Sequence, residues 1–342
     1  MSTSRLISTS RSFLSPSAFL LLAVSVRCWG DVPPNAPALQ TPASLDEVLV
    51  TGERPGPGMW RVSKGAHDLW ILATLQPLPK KMTWRSRVVE QRIASSQVVI
   101  SPPQVEADIG FFRGLTLIPS LLRARKSPDG RTLEQLLPHD LYIRWLALRV
   151  KYLGSGDDEH KRPMLAALDL YERALDQSGL TSNGTVWSTI EKTAHQDHVP
   201  LQPVVLNLKV EDAKGAVRDL NKIPQDAEIA CFTKTMERLE TDLGPMRQRA
   251  NFWSLGDIEG LRSLPYPDEE VACLNAFLAV PEFHDAYEHA RKQIADLWLA
   301  AADAALESNS SSFAVLPIPL LLREDGVLDR LRARGYAVQE PQ

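Results

Sequence analysis

Residues 59–76 read MWRVSKGAHDLWILATLQ, and how this stretch pairs decides the fold. MWRV and LWILATL are two apolar, aromatic runs separated by SKGAHD, a polar segment with a glycine, and that pattern predicts a β-hairpin. The run Trp70 to Leu75 has the continuous apolar character of a buried strand. It then breaks into Gln76-Pro77-Leu78-Pro79. A strand end that opens into a loop is a common place for reactive side chains. This one offers only Thr74 and Gln76.

Working outward, WRSRVVEQRIASS has helical spacing, with Val88, Val89 and Ile93 expected on the buried side. QVVI predicts a short strand that stops at Ser101-Pro102-Pro103. The unit is strand, strand, helix, strand. The middle of the chain reads as helical. Pro138 separates two helices in TLEQLLPHDLYIRWLALRVKYL. RPMLAALDLYERALDQSGL places Leu165, Leu168, Tyr171 and Leu175 on one face and stops near Gly179. TVWSTIEKTAHQDH and EEVACLNAFLA are expected helices, and Asp257 is an N-cap for a short one. PVVLNL is an expected strand. In FHDAYEHARKQIADLWLAAADAAL, Tyr287, Arg291, Ile294 and Trp298 recur at helical spacing.

The C-terminus returns to strand, helix, strand: SFAVLPI, DGVLDRLRARG and YAV, with Asp325 as the expected cap and Gly335 as the expected left-handed stop. Strands at both ends with helices between them imply an α/β (α+β) fold: a central mixed sheet built from strands near both chain ends, with a large helical middle.

The chain has 342 residues, 44% hydrophobic and 23% charged, with a net charge of −4, and lacks the basic character expected of a nucleic-acid partner. Residues 1–30 carry Arg5 and Arg11, then the apolar run Ala18 to Val26, then small residues, which is the pattern of a secretory signal peptide cut after Gly30. Acylation of Cys28 is the weaker reading, because Val26-Arg27 is a poor match to the residues expected before a lipidated cysteine. Cleavage would remove three arginines and no acid, taking the charge from −4 to −7. The expected location is periplasmic or secreted, with no integral membrane segment after cleavage. Cleavage would leave Cys231 and Cys273, a candidate disulfide in an oxidising compartment, with two buried thiols as the alternative. Residues 31–58 are rich in Pro, Ala and Gly and read as a linker; residues 59–342 read as one domain.

His195 and His198 stand three apart at a helix end, and a polar, solvated helix end is the preferred reading over a zinc site. His284 and Glu288 share a helical face and His289 turns away, which is not the HExxH arrangement. No GxGxxG, GxxxxGK[ST] or GxSxG occurs.

The strand-rich ends carry a resemblance. MWRVSKGAHDLWILATLQPLPKKM with VVEQRIASSQVVI resembles the opening of the TraB/GumN family (TraB/PrgY/GumN), which is related to Tiki-type metal-dependent proteases and more loosely to ChaN-like and erythromycin-esterase-like proteins. FAVLPIPLLLREDGVLDRLRARGYAV resembles the family's close, FHDAYEHARKQIADLW its penultimate helix, and the segment with WSLGD its W-x-x-GD motif. The resemblance implies a metal site from two Gly-x-x-His strand ends and a glutamate. The first Gly-x-x-His falls on Ala73-Thr74-Leu75-Gln76, the glutamate on Ser101 and the second Gly-x-x-His on Pro317-Ile318-Pro319-Leu320. The arginine of the penultimate helix is retained as Arg291, with Lys292 in place of its usual asparagine neighbour. Imidazole and carboxylate are the groups that hold a divalent metal and generate its nucleophilic water. Their loss implies a pseudo-enzyme with no catalytic residue, metal or cofactor, whose degenerate positions bind an unknown peptide, glycan or envelope protein. Two other expectations stand beside it: a hydrolase with a relocated site using Thr74, Gln76, Arg291 and His67, and a purely structural subunit of an envelope complex.

Overall fold

The structure, a computed structural model, describes residues 56–108, 111–154, 159–182, 185–264, 269–323 and 326–341. The expected signal peptide, most of the expected linker and the expected cap Asp325 lie outside them. Strands β1 (Met59–Lys64) and β2 (His67–Thr74) form the predicted hairpin, with Lys64 opposite His67 across a turn of Gly65 and Ala66. Gly65 takes φ +61°, the left-handed region that tight hairpin turns require at the first turn position. The strands thus run deeper into SKGAHD than the polar pattern suggests.

The remaining strands are β3 (Leu78–Pro79), β4 (Val99–Asp108), β5 (Leu180–Thr181), β6 (Leu201–Lys209), β7 (Ser311–Pro317) and β8 (Ala337–Gln339). Six of them make one mixed sheet in the order β6-β4-β7-β2-β1-β8, and β3 pairs with β5 separately. β6, β4, β7 and β2 are mutually parallel, whereas β1 is antiparallel to both β2 and β8. The two chain ends therefore meet in one sheet, with a largely helical chain between them. Ser312 to Leu316 on β7 are all buried, so side chains on both faces of the sheet are covered.

The helix Pro281–Ser308 lies along β6, β4, β2 and β7, and the helices Arg87–Ala94 and Thr185–Gln196 join the same core through Val89, Ile93, Val186 and Ile190. A second core gathers Leu133, Trp145, Leu170, Phe232 and Met236 from the helical middle. Beside it, Cys231 and Cys273 form a disulfide between the helices Gln225–Thr241 and Glu269–Leu278. Gly256, Gly335 and Gly179 hold positive φ at helix ends, and the Asp257 side chain accepts the Gly260 N–H at 2.7 Å as an N-cap.

Several expectations are corrected. β4 does not stop at Ser101-Pro102-Pro103 but runs on to Asp108 through a register shift between Ile100 and Pro103. Val88 is exposed, because Val89 and Ile93 alone meet the core. In the helix Pro163–Gln177 Leu175 is buried as its spacing suggests, but the rest of the buried face is Met164, Ala166, Ala167, Leu170 and Ala174, and Leu165, Leu168 and Tyr171 form a half-buried flank. Tyr287 and Arg291 lie outside the core, which the helix Pro281–Ser308 enters only from Ala290 and Trp298 onward. Residues 56–58 are packed rather than free linker, with the Gly56 N–H donating to the Ser254 carbonyl at 3.0 Å.

Candidate functional site

In parallel sheets the strand C-termini form the edge where ligands bind, because loops leave there and converge. β2 and β7 are register partners, Ala73 opposite Leu316 and Thr74 opposite Pro317. The segments Ala73–Gln76 and Pro317–Leu320 therefore leave the sheet side by side. β4 flanks β7 on its other side, with Ile100 opposite Ala314, so Ser101 follows one residue later on the neighbouring strand. The three chain segments singled out in the sequence therefore lie on adjacent strands, with Ser101 inside β4, level with Val315 and two residues short of Pro317.

Each side chain there has a definite role in the fold. The Thr74 hydroxyl donates to the Leu316 carbonyl at 3.4 Å. Ala73 is buried, and its carbonyl accepts the Trp253 indole N–H at 2.8 Å. Trp84 meets Trp253 edge-on with ring centroids 5.7 Å apart. Ser101 is 5% exposed. Its hydroxyl accepts the backbone N–H of Val204 at 2.9 Å and donates to the Pro102 carbonyl at 3.0 Å. Pro102 and Pro103 cannot donate to a ladder, and at this register shift the Ser101 side chain supplies the acceptor that Val204 needs. Leu320 is half-buried against the main core and Pro317 is half-buried, whereas Gln76 is exposed.

Arg291 is exposed on the helix Pro281–Ser308, 17 residues before its last residue. Its guanidinium donates to Glu288 at 2.9 Å. That hydrogen bond holds the Glu288 carboxyl below its ordinary range, helped by the charges of Arg291, His284 and Arg323.

A family model described as the TraB/PrgY/gumN family matches residues 58–340. The chain belongs to the TraB/PrgY/gumN family. No curated protein and no solved structure matches it. The matched span begins where the packed residues begin, at the entry to the hairpin, and ends just beyond β8.

The divalent metal that the TraB/PrgY/gumN resemblance implies does not fit the donors at this edge. Leu320 has no donor, the Ser101 hydroxyl is engaged by Val204, and Gln76 offers one neutral oxygen. Among the described residues no three His, Cys, Asp or Glu side chains are grouped to hold a metal. His195 and His198 are exposed at their helix end. His284 and His289 line a shallow depression of about 520 Å³ with Asp285, Glu288, Arg291 and Arg330.

His67 does not join Gln76. It opens β2 while Gln76 follows its far end, roughly 30 Å away at 3.3 Å per residue. At that opposite edge its Nδ1 lies 2.7 Å from the Asn309 carbonyl oxygen. Trp253 is the site residue that sequence reasoning left without a role. The WSLGD segment marked it, but a bond spanning 180 positions has no local signature.

Proposed function

We propose that this chain is a non-catalytic member of the TraB/PrgY/gumN family that is exported and acts in the cell envelope as a binding or scaffold protein for a peptide, a glycan or another envelope protein. The observation that carries the reading is Ser101. Where the resemblance expects a carboxylate, the chain has a buried hydroxyl consumed by the Val204 N–H. There the hydroxyl accepts from Val204 and donates to the Pro102 carbonyl, so its hydrogen bonds lie within the sheet. Leu320 on the core supports the same view at the second strand end. The Cys231–Cys273 disulfide supports an oxidising compartment.

The test uses purified mature protein dialysed against zinc, manganese and cobalt, followed by metal analysis and a peptidase and esterase screen. The expected result is substoichiometric metal and no turnover above the rate without protein. Stoichiometric metal retained after dialysis, or metal-dependent hydrolysis, overturns the proposal. Export is tested separately by N-terminal sequencing of the protein made in a bacterial host. A mature chain starting at Asp31 is expected, and a periplasm-free product still carrying Met1 or Ser2 counts against it.

A further inference from the structure

The helix Phe111–Ala124 is an unusual part of the molecule. From residue 116 onward only Leu117 and Ala124 of it are buried. Ile118, Leu121 and Leu122 are 48%, 42% and 60% exposed. Their spacing of three and four residues places them on one helical face. Nine large hydrophobic side chains are strongly exposed among the described residues, and three of the nine fall within this five-residue stretch. Scattered exposed hydrophobics need no explanation, but a contiguous group does.

The charge around the face is one-sided. Residues 111–128 read FFRGLTLIPSLLRARKSP and contain four basic residues and no acid, in a chain whose net charge is −4. Arg123 and Lys126 are exposed immediately after the apolar face. Arg125 is partly neutralised by Asp169 at 2.8 Å. An apolar helix face with basic residues beside it is suited to the surface of an anionic bilayer, where the apolar side chains enter the acyl boundary and the cations meet phosphate headgroups. A protein partner would satisfy the apolar face equally well, but the exposed Arg123 and Lys126, in a run of four basic residues between Asp108 and Asp129, favour an anionic surface.

We propose that the face formed by Ile118, Leu121 and Leu122, with Arg123 and Lys126, docks this protein on an anionic lipid surface. The proposal is independent of whether the strand-end site is silent. Its test is flotation of the purified mature protein, residues 31–342, with vesicles of phosphatidylcholine alone and of phosphatidylcholine with phosphatidylglycerol. Binding is expected to the phosphatidylglycerol vesicles only, and to weaken as salt screens the headgroups. Arg123→Glu/Lys126→Glu is expected to weaken it by at least about thirtyfold, since each basic residue contributes about fivefold at such a surface. Leu121→Asp/Leu122→Asp is expected to abolish it; both side chains are exposed, and an unchanged far-UV spectrum with an unchanged melting temperature confirms folding. Failure to float, or equal binding to both vesicles, overturns the proposal. So does concentration-dependent dimerisation, lost in the Leu121→Asp/Leu122→Asp variant, without vesicle binding.

Discussion

Replacing Ser101 by Ala separates a structural from a functional reading of that position. The side chain is 5% exposed, Val204 is 4% exposed, and the Val204 N–H has the Ser101 oxygen as its acceptor at 2.9 Å. Alanine removes the acceptor and leaves a buried N–H unsatisfied, which costs about 1–3 kcal/mol. The unit Gly52–Gln342 has an unfolding entropy of roughly 0.6 kcal/mol per kelvin, at about 2.1 cal/mol/K per residue. A loss of about 2 kcal/mol therefore lowers the melting temperature by about 3 °C. The assay is thermal unfolding followed by tryptophan fluorescence, which eight tryptophans make sensitive. The control is Ser263→Ala, whose exposed hydroxyl donates to the Gly260 carbonyl at 2.7 Å and is expected to matter by less than about 0.5 kcal/mol. If Ser101→Ala melts with the wild type or with the control, Ser101 is not holding the sheet and the argument for a consumed site position fails.

The Cys231→Ala/Cys273→Ala variant, whose cysteines stand 42 positions apart, is expected to lose about 4 kcal/mol through the freed loop entropy of the unfolded chain. Urea unfolding with and without reductant checks this, and a wild type insensitive to reductant refutes it. Arg162 and Glu228 form a buried pair, with the guanidinium Nε donating to the carboxylate at 2.8 Å. Arg162→Leu strands a buried carboxylate and is expected to cost about 3–5 kcal/mol, whereas Arg162→Met/Glu228→Met costs much less; equal losses would contradict a desolvation cause. Burial, reinforced by the hydrogen bond to Asp303, pushes the Tyr336 hydroxyl up to about 12 from its ordinary 10.0. Between those values the native protein holds a proton that the unfolded chain has lost, so stability falls as pH rises from 10 to about 12. Ultraviolet titration should show two late tyrosines, Tyr142 and Tyr336, of which Asp303→Asn moves only Tyr336 down; a single transition near 10 for all six tyrosines excludes it.

The sequence made the hairpin legible because its signals are local. A glycine at the turn and two apolar runs specify β1 and β2 without any other part of the chain. The same locality explains what stayed hidden. Pro102-Pro103 reads as a strand stop, since two consecutive donors are missing. β4 continues because the loss is met across the sheet, by a serine hydroxyl bonded to a residue 103 positions away. Val88 and Val89 are indistinguishable by composition, and only the helix's rotation against the sheet decides that Val89 is buried. The parallel pairing of β2 with β7, which brings the two strand ends together, joins residues about 240 positions apart and was reachable only through the likeness of the chain's two ends to a known family. Trp253 had no such route to its partner Ala73.

Backbone pairing fixes the geometry of this edge, and on the reading proposed above that is how the scaffold keeps its shape while its side chains differ. Thr74 faces Pro317 by register whatever side chain stands at 76, 101 or 320. Reactive groups held at such an edge usually cost stability, because charge and strain are retained for chemistry. Here two of the three positions contribute to folding instead. Ser101 satisfies a buried N–H, and Leu320 adds apolar contact to the core. A carboxylate at 101 would have to be desolvated at a place now 5% exposed, and an imidazole at 320 would give up part of that contact. Gln76 is different: it is exposed, and no gain in packing accompanies it. On the proposed reading, what the edge offers a partner is the end of β2, where Thr74 and the exposed Gln76 follow Ala73, whose carbonyl accepts the Trp253 indole N–H.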